Sequence, residues 1–321
     1  MHGPSFQKEL YSKEGSAIKN RELVRKRPPR KAQSAMEYLM TYGWAILIIA
    51  VVLGALFSLG VFNPNSFAPK AQPGSCQVLR PYGAGTSIDL NLGGTCLNEL
   101  PKFVAQLNGQ NSYVTLPTSG LAYGNNPDTM CGWTNLAALP GTYGSNDGWS
   151  WIAAYGTGSG GASRFIGFGL GFVDVGGYGP SYDLYYYTDM AKFVGRWNFI
   201  CGTYDGTYVR IYVNGTLVAG PAARSWDTIQ SEAYIGKQVN PFSEYLDGLI
   251  SNVQIYNSSL GANAISALYG EGVGGAPIDL QHLVAWYPLN GDTMDYSGNN
   301  NDGTPINTIF TGSWTSGYSS P

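Results

Sequence analysis

The sequence predicts a mainly β protein: an N-terminal apolar α-helix followed by an antiparallel β-sandwich of two sheets. Three observations carry this. First, Leu39 to Phe62 is an uncharged run of apolar, small and aromatic side chains. Second, beyond it the pattern changes to period two, in β-branched and aromatic segments such as Ser112–Leu116, Phe165–Phe168, Leu184–Tyr187 and Val209–Val213. Third, the 44 glycines of the 321-residue chain punctuate these segments, with Asp205-Gly206 and Asn214-Gly215 placed as tight hairpin turns. Many short strands with little helix argue for two packed sheets. Past residue 75 the helical spacing is confined to Ala262–Tyr269.

The apolar run has 24 residues, which as a helix would extend roughly 36 Å, enough to cross a bilayer core of about 30 Å. A basic cluster (Arg25, Lys26, Arg27, Arg30 and Lys31) precedes it, as expected for the cytoplasmic flank of an anchor. The run is longer than the apolar core of a cleaved secretory signal, and no small-residue cleavage site follows it. Glu37, alone at its mouth, is costly in lipid without a partner. A cut between Ala32 and Gln33 would make Glu37 the fifth residue of a new chain, able to neutralise the terminal ammonium of a neighbouring subunit.

Lys31-Ala32-Gln33-Ser34-Ala35-Met36-Glu37-Tyr38 and the apolar helix after it resemble the class III signal of archaeal type IV pilins and archaellins. The resemblance covers about 40 residues. It implies a leader over 1–32, cleavage at Ala32/Gln33 by a prepilin peptidase, and a retained helix over 33–62 that packs against other pilin-like subunits. The leader is long for that family and carries Glu9, Glu14 and Glu22. A plain membrane anchor that never polymerises is the alternative.

Charge is unevenly spread. The first 32 residues hold nine of the 18 basic residues and three of the 21 acidic ones, a net +6 that leaves −9 on the rest. An acidic body argues against nucleic acid as a partner, since phosphate binding needs a basic face. Composition rich in Gly, Ser, Thr, Asn and Tyr suits an exported, loop-heavy β domain. The four cysteines, Cys76, Cys96, Cys131 and Cys201, make an even count that favours two disulfides outside the cell, with three connectivities open. Cys76–Cys96 would close a local loop. Four buried thiols are the alternative.

Asn63 to Gly74, with three prolines, ends the helix and reads as a stiff linker (63–74) before a domain over 75–321. Within it, Asn111–Pro117, Met130–Leu136 with Trp133, Trp197–Gly206, the Val209–Val218 hairpin, Ala233–Lys237 and Leu246–Tyr256 resemble, in this order, the strands of a laminin-G-like, concanavalin-A-like jelly roll. The resemblance covers about 170 residues. It implies that the strands of Cys131 and Cys201 are neighbours, which makes Cys131–Cys201 the expected second pair. Leu283–Asp292 and Asp295–Gly303 resemble the first strand and loop of the same fold, although here they come last. Segment 283–305 is therefore expected to fold back in cis as a permuted first strand covering an open edge. Donation to a neighbouring subunit and loose surface packing are the alternatives.

Catalysis needs convergent acids, bases or nucleophiles. With two histidines and no acid cluster on one strand face, a binding protein is expected rather than an enzyme; an anchored glycan hydrolase with an acid pair is the less favoured reading. No cofactor is required. Asp292, Asp295, Asn299, Asn301 and Asp302 offer hard oxygen ligands that suit calcium, against the same residues acting as ordinary turn formers. Trp149, Trp151, Tyr178, Tyr182 and the run Tyr185-Tyr186-Tyr187, with Tyr186 at its centre, are candidates for stacking on sugar rings, although alternation must turn part of such a set toward the core. Asn214 and Asn257 head N-glycosylation sequons, with Asn214 also placed for a turn. The expected role is adhesion to a surface glycan or protein, with the domain outside the cell and tethered by the helix, alone or in a surface filament.

Overall fold

The computed structural model describes residues 33–58, 78–79, 87–88, 100–141, 148–242 and 244–321. The chain divides into two units, Met1–Phe62 and Asn63–Pro321. The expected leader, the linker and the pair Cys76 and Cys96 lie outside the described residues, as does Ala32.

In the first unit, α1 spans Gln33–Ser58. No proline interrupts this stretch, and its alanines, leucines and methionines lose little freedom in a helix. The side chains described are Met40 and those of 42–56. Met40, Tyr42, Trp44, Ile46–Ile49 and Val51–Leu53 all stand exposed. Among the described residues no helix is long and apolar enough to cross a membrane.

The second unit is an antiparallel sandwich. Its first sheet runs β12 (Thr216–Ala223), β11 (Tyr208–Val213), β10 (Asn198–Tyr204), β5 (Asp128–Leu136), β14 (Asp247–Tyr256), β3 (Val104–Asn108) and β17 (Ile309–Thr311). The second runs β16 (Thr304–Ile306), β4 (Tyr113–Thr115), β13 (Glu232–Ile235), β6 (Ser150–Gly156), β7 (Ser163–Gly169), β8 (Phe172–Gly176) and β9 (Leu184–Tyr187). Two short strands, β1 (Val78–Leu79) and β2 (Ser87–Ile88), pair antiparallel with each other.

The turns sit where their residues allow. Asn214 and Gly215 both adopt positive φ (49° and 75°), as a two-residue hairpin between right-twisted strands requires. At the β10–β11 turn the Asp205 carboxylate accepts the amides of Thr207 and Tyr208.

Facing side chains of the two sheets, among them Leu107, Val114, Ile152, Ile166, Phe168, Val175, Ile200, Ile211, Ile250 and Val253, fill the core. Every residue of β5 is buried, because the outer face of the first sheet is covered as well. There α2 (Ala262–Glu271) lays Ile265 and Leu268 over Trp133 and Phe199. Trp314 fastens the C-terminal tail, its indole donating to the Pro101 carbonyl while its own carbonyl accepts the Trp197 indole. Cys131 and Cys201 face each other across β5 and β10, with Cα atoms 4.1 Å apart, and form a disulfide. Closing a 70-residue loop is worth on the order of 4 kcal/mol by chain entropy.

The late segment packs in cis. β15 (Leu283–Tyr287) pairs antiparallel with Val253–Tyr256, the half of β14 that β3 leaves free. The chain beyond β15 closes the outer edges: β16 pairs with β4 in one sheet and β17 with β3 in the other. The short connection between β16 and β17 thus crosses from one sheet to the other and seals an edge of each.

Candidate ligand pocket on the outer face of the second sheet

The face of the second sheet that points away from the core carries an aromatic cluster of Trp151, Phe165, Tyr234 and Val239, with Tyr113 and Trp149 packed against it. Strand register explains its geometry. Trp151 pairs with Gly167, Gly167 with Asp174, and Asp174 with Tyr185, so one row of side chains crosses β6, β7, β8 and β9. A bulge after Trp151 turns both Ile152 and Ala153 into the core while keeping Trp151 outward. Gly167 has to be glycine: a Cβ there would lie 2.4 Å from the Ser150 carbonyl and 2.7 Å from the Trp151 ring.

Rings pack around this row. Trp149 lies parallel to Trp151 with centroids 5.4 Å apart, and Phe165 meets Trp151 edge-on at 4.4 Å. Phe172 bridges Trp149 and Tyr185 by edge contacts at 5.3 and 4.7 Å. The far wall comes from two loops, one presenting Tyr178 to Pro180, the other Gln238, Phe242 and Glu244, with Tyr178 against Phe242 at 4.9 Å. The enclosed space is about 400 Å³, within the range of small-molecule sites.

Three carboxylates enter this aromatic pocket. Asp183 is held in place: Oδ1 accepts the Gly177 amide, and Oδ2 accepts the Gly179 amide and the Tyr185 hydroxyl. Glu244 accepts the Trp151 indole N–H at 2.6 Å. Asp174 is 0% exposed, and neither of its oxygens has a hydrogen-bond partner among the described residues. Burial, then the charges of Asp183 and Glu244, push its carboxyl well above its ordinary value of 3.8. Burial and the Asp183 charge likewise push the Tyr185 hydroxyl up.

The aromatic candidates divide. Trp149, Trp151 and Tyr178 come together in the pocket. Trp151 is only 2% exposed, so it supports Trp149 rather than offering a free ring face. Tyr182 packs over Gly160 and Gly161 and against the core. Tyr186 also packs against the core, because alternation along β9 turns its neighbour Tyr185 outward instead. Of the run Tyr185–Tyr187 it is Tyr185 that lines the pocket, while the convergence of Asp174, Asp183 and Glu244, which come from three elements, was not read from the sequence. One signal was present: Asp174 interrupts the apolar strand Phe172-Val173-Asp174-Val175.

The proposed calcium ligands serve the loop itself. Asp295 accepts the amides of Trp286, Ser297 and Asn301 and the Ser297 hydroxyl. Asp292 accepts the Met294 amide and the Tyr296 hydroxyl, and Asp302 accepts the Asp295 amide. Asn299 and Asn301 donate to carbonyls of β15. These contacts are turn chemistry, and among the described residues no group of three or more His, Cys, Asp or Glu could hold a metal ion. Asn214 spends its amide on the turn, accepting from the Phe199 amide and donating to Asn198, whereas Asn257 is exposed. The side chains of Gln33 and Glu37 lie outside the described residues.

A second concavity, of about 490 Å³, is lined by Gln106, Asn108, Gln110, Asp247, Asn307 and Ile309 among others, with no aromatic ring among its described lining residues.

Residues 108–266 match the laminin-G-type family model described as the concanavalin A-like lectin/glucanases superfamily. The match covers just under half the chain and agrees with the two-sheet antiparallel sandwich described above. Among solved structures, a protein from Bacteroides ovatus described as carbohydrate-binding is similar at 17% identity, over 66% of this chain and 60% of that one, with a TM-score of 0.47. Domain 4 of the extracellular arabinanase AbnA from Geobacillus stearothermophilus, solved with arabinotriose, is 20% identical over 52% of this chain and 76% of that one, with a TM-score of 0.38. A SAP-like pentraxin from Limulus polyphemus is 11% identical over 65% and 94%, with a TM-score of 0.43. No curated protein matches the sequence.

Proposed function

We propose that this chain is a surface-displayed binding protein whose sandwich domain takes carbohydrate in the aromatic pocket. The observation that carries the reading is the joining of ring faces and carboxylates in one cavity. Sugar rings present C–H faces that pack on aromatic planes and hydroxyls that donate to carboxylates, and Trp149 beside Asp174 and Glu244 offers both. The lectin and glucanase character of the matching family supports it. Binding is favoured over hydrolysis, because Asp183 is already held by three donors and Glu244 is bound to an indole. Neither carboxylate is poised to take and return protons.

The Cys131–Cys201 disulfide supports an oxidising, extracellular setting for the head. The exposed apolar side chains of α1 need a cover, which lipid or the helices of neighbouring subunits would supply. Pilin-type processing by a prepilin peptidase accounts for both the basic leader and the retained helix. A permanently anchored, non-polymerising ectodomain is the competing arrangement. Calcium has no part in this reading.

Two experiments test it. The full chain, in a detergent without a sugar headgroup, is applied to a glycan array beside its Trp149→Ala variant. A defined subset of glycans should be retained, with binding falling at least tenfold in the variant; no glycan bound, or binding indifferent to Trp149, refutes the pocket. Mass spectrometry of membrane and sheared-surface fractions should find a chain beginning at Gln33. A native chain that keeps its leader refutes the filament.

A further inference from the structure

Among its described lining residues the pocket carries three carboxylates and no cation. Asp174 stands in the middle of the row Trp151–Gly167–Asp174–Tyr185, fully buried, with both carboxylate oxygens unbonded among the described residues. A buried polar group in that state is costly unless something outside the chain completes it. The charged groups acting on Asp174 are Asp183, from the segment before β9, and Glu244, from the loop after β13; both are carboxylates. Tyr185 and Tyr178 are the other titratable side chains lining the cavity.

The chemistry of the walls narrows the occupant. Calcium would need six to eight oxygen ligands, and this lining is largely aromatic. A neutral hydroxyl could bond to Asp174 but would leave the charges of Asp183 and Glu244 unanswered. An organic ammonium satisfies both parts of the lining, because its N–H groups bond to carboxylates and its charge is attracted to ring faces.

The same face of the sheet already holds one such arrangement. Lys237 Nζ lies 4.4 Å from the Tyr234 ring centroid and 5.1 Å from that of Tyr113. It donates to Asn240 Oδ1, and Asn240 in turn donates to Glu232. There the chain provides the cation itself.

We propose that the pocket selects glycans bearing an unsubstituted amino group, whose ammonium lodges against Asp174 and Glu244 beneath the Trp149 ring. The inference rests on the carbohydrate reading and names the substrate class within it. It has a proton consequence. With the pocket empty, burial favours the protonated Asp174 carboxyl; a bound ammonium favours the ionised form, and the displaced proton leaves for solvent. Affinity for the amino sugar therefore rises with pH while the ligand amine stays charged.

The test is calorimetric titration of the full chain, in the same detergent, with three β-1,4-linked trimers: glucosamine, its N-acetylated form and glucose. The glucosamine trimer should bind at least tenfold more tightly than the other two. Its affinity should rise between pH 5 and 7, with proton release visible as a dependence of the heat on buffer ionisation. Asp174→Asn should remove both the preference and the pH dependence, with a thermal melt showing that the fold persists; Glu244→Gln should reduce the preference. Equal affinity for all three trimers, each lost in Trp149→Ala, overturns the amino-group inference and leaves the carbohydrate reading standing. A preference that survives Asp174→Asn also overturns it, since general attraction to an acidic protein then accounts for the result. Failure of all three trimers to bind overturns it too, and the glycan array then decides the carbohydrate reading separately.

Discussion

Asp174 occupies the centre of an apolar strand with neither oxygen hydrogen-bonded among the described residues, and such a carboxyl stays folded most cheaply when protonated. Its folded pKa lies well above its ordinary value of 3.8. The native state therefore holds a proton that the unfolded chain has released, and stability falls as pH rises from about 4 through the folded pKa. Asp174→Asn removes this titration. Thermal melts should show the variant's advantage over wild type growing by several degrees between pH 4 and pH 8; a constant difference would mean that Asp174 carries no such penalty. Two neighbouring tyrosines separate ligand contact from packing. Tyr185→Ala should weaken glycan binding with little loss of stability. Tyr186→Ala, on the core side, should cost roughly 2 kcal/mol or more in urea unfolding and spare binding. The reverse pattern would invert the face assignment. Period two made Leu184–Tyr187 legible as a strand but left its parity open, because three successive tyrosines look alike until a partner strand fixes which of them faces outward.

At the scale of elements, the two sheets are tied together by a buried ion pair. Arg164 on β7 reaches Asp128 on β5 at 2.7 Å, with both side chains almost wholly enclosed. It also donates to Thr228 and to the Gly124 carbonyl, and lies over the rings of Tyr204 and Trp226. Tyr155 donates to the other oxygen of Asp128. Removing the cation alone leaves a buried carboxylate unpaired, so Arg164→Met should cost about 3–5 kcal/mol in urea unfolding. Adding Asp128→Asn should recover much of that loss; no recovery would show that ring packing, rather than charge, is what Arg164 supplies. None of this was visible in the sequence, where Arg164 and Asp128 are 36 residues apart in unremarkable strands. The Asp205-Gly206 and Asn214-Gly215 hairpins were legible because their conformations demand those residues. Thr304–Ile306 and Ile309–Thr311 were not, since each is three residues long and becomes a strand only by pairing with an exposed edge.

Across the whole molecule, what the sequence revealed was order along the chain, and what it hid was convergence. The sandwich could be read from strand-like runs and turns, and the Cys131–Cys201 pair from the resemblance that made β5 and β10 neighbours. The pocket draws Trp149, Asp174, Asp183, Tyr185 and Glu244 from separate strands and loops over almost a hundred residues, a convergence no local pattern encodes. The loop at 292–302 was legible as turn chemistry as much as a calcium site, because its acids lie close in sequence, and their oxygens accept from nearby amides and hydroxyls. The most direct test of the binding site is a crystal structure of the chain with the glycan it binds best on the array. The expected result is a sugar ring packed on Trp149 with polar groups turned toward Asp174 and Glu244. A sugar seated in the ring-free groove beside Gln106, Asn108 and Asp247, with the aromatic pocket unchanged, would contradict it.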